Sequence, residues 1–152
     1  MKLRQITTLL ILCSVLMGCQ KELPVYGGEI LTRDGLLYKS KSSVALTAKV
    51  ERFHQNGQLE TQYTAIEGKR EGLVKDWYEN GQLYTESTWV KGELNGVYRN
   101  WRENGQLRQE LPYVNGELEG LGNFWRENGQ PLTPKCYKAG EETDMSYCEP
   151  QA

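Results

Sequence analysis

Asn-Gly dipeptides stand at 56–57, 80–81, 104–105 and 128–129, an interval of 24 residues each time. Between them runs a second glycine series, Glu67-Gly68, Lys91-Gly92, Asn115-Gly116 and Ala139-Gly140, so corners alternate at spacings of 11 and 13. A period this short marks a stacked repeat, in which each unit buries apolar surface against its neighbours, and not a globule around one centre. The segments between corners, such as "GVYRNWR" from Gly96 and "QLYTESTWV" from Gln82, are rich in Val, Tyr, Trp and Thr and lack a helical period. Each reads as one strand. The chain is therefore expected to be all-β, an elongated antiparallel meander of stacked hairpins of about 24 residues.

Asn-Gly suits the central pair of a type I′ turn, because both positions need positive φ, which Gly adopts freely and Asn tolerates. Two-residue turns would place Trp101 opposite Arg108, Arg99 opposite Glu110, Lys75 opposite Glu86, Glu51 opposite Gln62 and Asn123 opposite Pro134. Carboxylates thus face cations where the cation is present, which supports the register. Pro112 falls inside a strand, lacks a ladder donor and predicts a bulge there. In this register Phe53, Trp77, Trp101 and Trp125 form one column, sharing a face with Ile66, Val90 and Val114. The other face carries Leu83, Leu107, Leu94, Leu118, Ala65, Trp89, Tyr113 and Tyr137. Neither face is purely polar, so the sheet must twist or curl to cover part of itself. Nine or ten strands would span roughly 45 Å.

The ends depart from the repeat. Lys2 and Arg4 precede an apolar run from Ile6 to Met17, too short for a spanning helix and suited to a secretory signal over residues 1–18. The run ends in "LMGC", Leu16 to Cys19, which resembles the lipobox of bacterial lipoproteins, although Met17 replaces the small or β-branched residue usual there. That resemblance implies lipidation of Cys19. Gln20 in the next position implies the outer membrane, facing the periplasm, over the inner one. Residues 19–28 would be the lipidated cysteine and a short tether, and 29–52 a worn terminal repeat that caps the stack, with Asp34-Gly35 as its corner. Repeats fill 53–140, and 141–152 form a second cap or tail. Cys136 and Cys148 would be the cysteines left in an oxidising compartment, and a disulfide is the default reading. Such a bridge stabilises by about 3 kcal/mol in the loop-entropy picture. A metal site is the alternative, but no further cysteine or nearby histidine supports it.

The unit Gly-x4-Trp-(Tyr/Arg)-Glu-Asn-Gly-Gln-Leu-x5-(Tyr/Trp)-x2-Gly-x3-Gly, complete in "GVYRNWRENGQLRQELPYVNGELEG", resembles the bacterial variant of the MORN repeat over residues 47–142. The resemblance implies an elongated β-meander and a non-enzymatic role in binding proteins or membranes. Chains of this pattern also carry an antitoxin label by family inference, which would imply a neutralising complex with a cognate toxin. A shared fold does not fix a function.

Chemistry is sparse. His54, the one histidine, occupies a position filled later by Tyr78, Arg102 and Arg126, and reads as a repeat-position substitute more than a catalytic base. Glu79, Glu103 and Glu127 precede the Asn-Gly corners in identical surroundings, unlike the paired but differently tuned carboxylates of a glycosidase. No calcium loop, phosphate loop or nucleophilic triad is present, so neither metal nor cofactor is expected. The net charge of −2, or −4 once Lys2 and Arg4 leave with the signal, excludes the basic stripe of a nucleic-acid binder. The column Phe53, Trp77, Trp101 and Trp125 is open to two readings, packing core or binding stripe, since Trp dominates interface hot spots. The expected function is a lipid-anchored envelope protein whose sheet binds another protein without catalysis. The rival is an immunity or antitoxin-type factor that occludes a toxin.

Overall fold

The computed structural model describes residues 22–149, so the signal segment and Cys19 lie outside the described residues. Strand follows strand, with no α-helix among the described residues and a single 3₁₀ turn at Met145–Tyr147. The central meander runs through β4 (Ala48–Phe53), β5 (Leu59–Ile66), β6 (Lys69–Trp77), β7 (Leu83–Val90), β9 (Gly96–Trp101), β10 (Leu107–Val114), β12 (Gly120–Phe124), β13 (Lys135–Lys138) and β14 (Glu141–Thr143). Two short strands, β8 (Glu93–Leu94) and β11 (Glu117–Leu118), extend the hairpins of β7 and β10. The chain thus builds an antiparallel repeat sheet. Its first edge differs: β1 (Val25–Tyr26) joins β4 in parallel, and β2 (Ile30–Arg33) pairs only with β3 (Leu36–Lys39), as a separate hairpin.

The two glycine series make different turns. At Glu67-Gly68, Lys91-Gly92, Asn115-Gly116 and Ala139-Gly140 both residues have positive φ, and the flanking residues pair directly, as at Val90 with Glu93. These are the two-residue corners with type I′ character. The Asn-Gly corners are not type I′, contrary to the expectation from the dipeptide. Only Gly57, Gly81, Gly105 and Gly129 have positive φ there. Arg102 donates its N–H to the Gln106 carbonyl and Gly105 to the Arg102 carbonyl, each at 2.8 Å, which closes a three-residue loop ending in a glycine bulge. Asparagine serves this loop through its side chain. Asn104 Oδ1 accepts the Gln106 N–H at 3.0 Å, and the equivalent contact recurs at Asn56, Asn80 and Asn128.

A longer loop should have slipped the register by one, and locally it does. Trp101 pairs with Leu107, not Arg108, and Trp77 with Leu83, which moves Leu83 and Leu107 away from the assignment the two-residue register gives them. A second bulge at Arg108 then restores the phase, since Asn100 pairs with Gln109 and Arg99 with Glu110. The pairs Lys75 with Glu86 and Glu51 with Gln62 follow in the same way. The β12–β13 ladder ends at Gly122 with Lys135, so Asn123 and Pro134 lie just beyond it.

A third irregularity recurs along the sheet. Tyr63 alone spans the stretch from Gly72 to Val74, because Thr64 pairs with Glu71 and Gln62 with Lys75. Ser87 and Thr88 likewise span Asn95 to Tyr98, and Leu111 and Pro112 span Glu119 to Gly122. Extra residues on one side of a ladder bend and twist that strand. Gly72, Gly96 and Gly120 sit in these bulges with φ of 77°, 131° and 108°. This also corrects the expectation for Pro112. Its own strand keeps register with Val97, and its carbonyl accepts the Glu119 N–H, so its missing donor faces the bulge of the neighbouring strand, where the ladder is already open.

The core sits at the first edge, under the β2–β3 hairpin. Leu46, Ala48, Val50, Tyr63, Ala65 and Val74 are buried together, with Tyr26, Ile30, Leu37 and Trp89 packed over them. Backbone hydrogen bonds join the layers: Leu46 donates to the Leu37 carbonyl, Gly68 to Leu46 and Leu37 to Gly68, each at 2.8 Å. At the far end Cys136 and Cys148 are joined by a disulfide with Cα atoms 5.9 Å apart. Glu119 anchors the same tail by accepting the Ala139 N–H and the Tyr147 hydroxyl. These two donors, the Ala139 amide first, hold its carboxyl below the ordinary range. A lowered folded-state pKa contributes stability above the unfolded value near pH 4.3 and loses it as pH falls through the folded value. Exchange protection of the Ala139 amide is accordingly expected to be flat from pH 8 to about 5 and to fall below about 4. Protection unchanged at pH 3 would exclude this anchor.

Candidate functional site

Strand alternation divides the sheet into two faces of different chemistry. The inner face holds the core and continues beyond the hairpin as an aromatic groove. On the outer face a ladder of alternating charge crosses the strands: Lys75 Nζ lies 3.1 Å from Glu86, Glu86 lies 3.6 Å from Arg99, and Arg99 lies 2.7 Å from Glu110. Glu51 opens the same row, paired with Lys49 at 2.9 Å and with the Gln62 amide at 2.9 Å. The Lys49 contact, followed by Gln62, lowers the Glu51 pKa. Exposed pairs of this kind add little stability each. Their effect is to spend the face's charge internally.

Beside that ladder lies the aromatic column. Phe53 is 57% exposed, whereas Trp77, Trp101 and Trp125 are half-buried. Toward the type I′ corners the outer face carries exposed Ile66, Leu73, Val90, Val114 and Leu121. No strand covers this side of the central hairpins among the described residues. The column is therefore neither a closed core nor a free stripe: its members flank an open apolar surface.

The repeat position of His54 is structural. His54 Nε2 lies 2.8 Å from the Trp77 carbonyl, Tyr78 donates its hydroxyl to the Trp101 carbonyl at 2.9 Å, and Arg102 donates to the Trp125 carbonyl at 2.9 Å. Three different side chains thus tie each aromatic-bearing strand to the next unit. A matching set works at the opposite corners, where Thr47, Glu71 and Glu119 accept the N–H of Glu67, Lys91 and Ala139. Glu79, Glu103 and Glu127 are exposed corner residues, and Asn56 and Asn80 donate to the carbonyls of Glu79 and Glu103.

These contacts recur every 24 residues, so the structural unit and the sequence unit coincide. Residues 70–91 and 94–115 match the MORN repeat variant. Repeats of this family are non-catalytic and are associated with binding of membranes and proteins. No curated protein and no solved structure matches the chain. The two matched MORN-variant stretches run from β6 to the end of β7 and from β8 to the start of the Asn115-Gly116 corner. They contain the charge ladder from Lys75 to Glu110 and the aromatic pair Trp77 and Trp101.

The inner face of the first MORN-variant stretch holds a cavity of about 560 Å³, bordered by Arg52, Tyr63, Arg70, Asp76 and Tyr84. A smaller one of about 220 Å³, lined also by Trp89 and Tyr98, shares Arg70, Asp76 and Tyr84 with it. Arg70 lies with its guanidinium 5.2 Å from the Tyr63 ring centre and 5.0 Å from that of Trp89. Asp76 accepts the Thr61 hydroxyl at 2.6 Å and the Thr85 hydroxyl at 2.5 Å. Burial raises the Tyr63 and Tyr98 pKa values above the ordinary phenol range. Among the described residues no group of three or more His, Cys, Asp or Glu is placed to hold a metal, and no helix is long and apolar enough to cross a membrane.

Sequence reasoning passed over Arg70 and Asp76, yet a signal was present. Leu46, Arg70, Leu94 and Leu118 share one repeat position, as do Arg52, Asp76, Asn100 and Phe124. A charged residue at a position that the other units fill with leucine is where the repeat is broken for a reason.

Proposed function

We propose that the chain is a lipid-anchored, non-catalytic binding protein of the bacterial cell envelope, held through Cys19 and engaging a protein partner on the outer face of its sheet. The observation that carries the binding surface is the uncovered outer face, with Phe53, Ile66, Leu73, Val90 and Val114 each more than 40% exposed. An open apolar surface beside a ladder whose charges are mutually paired suits an apolar contact with a polar rim. Membrane attachment is supported by the "LMGC" segment at Leu16 to Cys19, and the outer membrane by Gln20.

Two experiments test this. Crosslinking in intact cells, followed by identification of the trapped species, should recover a stoichiometric envelope protein with the parent chain and at least tenfold less with Val90→Asp plus Val114→Asp. Equal recovery would move the interface off this face. A single toxic protein in its place would favour the neutralising reading. Separately, Cys19→Ser should shift the protein from the membrane pellet to the soluble fraction. Continued pelleting would exclude the lipid anchor.

A further inference from the structure

Arg70 is the most anomalous residue of the inner face. Its repeat position is leucine in the other three units, and its Nε is buried without a hydrogen-bond partner. No carboxylate lies within 4.0 Å of it among the described residues, although other arginines of the sheet, such as Arg99, are paired. Keeping one guanidinium N–H from water without an acceptor carries a cost. Two aromatic rings flank the guanidinium, which lies where the two cavities meet.

Asp76 supplies the opposite charge at a set distance. The register pairs Arg70 with Ala65 and Asp76 with Thr61, and Tyr63 stands midway between those rows. Arg70 reaches over Tyr63, so its charge lies one row, about 7 Å, from the Asp76 row. Asp76 is bonded instead to the Thr61 and Thr85 hydroxyls, and no ion pair joins it to Arg70 among the described residues. Each Asp76 oxygen is oriented by one threonine hydroxyl and retains a free lone pair. A plain anion is disfavoured here, because Glu60, Glu79 and Glu103 also border the cavity.

We propose that the inner groove is a binding site for an α-amino acid group, its carboxylate held bidentately by Arg70 and its ammonium by Asp76. A carboxylate and an ammonium on one carbon, each at a hydrogen-bond distance of about 3 Å from its partner, span about the separation of the two rows. Tyr63, Tyr84 and Tyr98 then offer ring surface to the substituent. The group belongs either to a free amino acid or to the end of a larger molecule, and the recognising chemistry is the same.

Titration of the ¹⁵N-labelled full chain in detergent tests this by NMR. L-Phenylalanine represents the free source, and γ-glutamylalanine presents the same zwitterion on a larger molecule. Saturable shifts of the Trp89 indole and Arg70 Nε signals are expected with at least one of the two. If only γ-glutamylalanine binds, the larger source is the ligand; if phenylalanine binds as well, the free form suffices. The form of whichever probe binds that is amidated at the α-carboxylate of the zwitterion itself, and its N-acetyl form, should each bind at least tenfold more weakly. Arg70→Leu, which restores the residue of the other repeats, should melt no lower than the parent and lose binding at least tenfold. Asp76→Asn, the residue at the equivalent position 100, should show the same loss. No saturable shift with either probe up to 10 mM, or undiminished binding by Arg70→Leu, would overturn the proposal.

Discussion

Replacing Leu46 with alanine is expected to destabilise the protein by about 2–5 kcal/mol, the range for emptying a buried leucine site. Leu46 is 1% exposed and lies where the covering hairpin meets the sheet, bonded through its backbone to Leu37 on one side and Gly68 on the other. Collapse cannot fill the gap, because the neighbours Ala48 and Ala65 carry only methyl groups and Val50 is β-branched and stiff. The loss should be cooperative with release of β2–β3, so amide exchange in Ile30–Lys39 should rise while the far strands keep their protection. Leu31, on the same hairpin but 40% exposed, provides the contrast: its alanine variant should lie within about 0.5 kcal/mol of the parent in urea unfolding. Equal effects from the two substitutions would mean that the hairpin does not cover a core.

The repeat was legible because its corners need residues of special backbone freedom, and glycine at a strict interval shows where the chain reverses. Charge pairs such as Arg99 with Glu110 were legible for a related reason, since cross-strand neighbours must be complementary whatever the turn. Turn type was not. Asn-Gly permits a type I′ turn, but asparagine gains more here by keeping negative φ and using its side chain within the loop and, at Asn56 and Asn80, on the next unit. The register survived because the longer loop and the strand bulge cancel. The first edge was less legible still. Asp34-Gly35 makes its corner, with φ of 49° and 73°, yet β2–β3 leaves the sheet to cover Leu46 and Ala48. Only the three-dimensional need to bury that end dictates this, and no local pattern encodes it. Arg70 was hidden for the opposite reason: aligned repeats draw the eye to what recurs, whereas a binding site is built from what does not.

Gly105→Val should cost about 1–3 kcal/mol, nearly all of it from a backbone term shared by every Asn-Gly corner. Gly105 has φ of 82°, where a β-branched residue is strongly disfavoured. A Cβ there would also stand 2.7 Å from Gln82 Oε1, but that is the far end of an exposed, flexible side chain and can swing aside at little cost. Gly129 checks this. Its φ of 79° is nearly the same, but the nearest atom, Gln106 Nε2, is 3.9 Å away. Gly129→Val should therefore lose about as much as Gly105→Val. Adding Gln82→Ala to Gly105→Val should change its thermal or urea unfolding little. The three-residue loop predicts a further distinction: Asn104→Gly should destabilise, by removing the Oδ1 acceptor for Gln106, whereas in a two-residue type I′ turn glycine at that position would be tolerated. A stabilising Asn104→Gly would restore the type I′ assignment, and with it the uninterrupted register that the bulge at Arg108 now replaces.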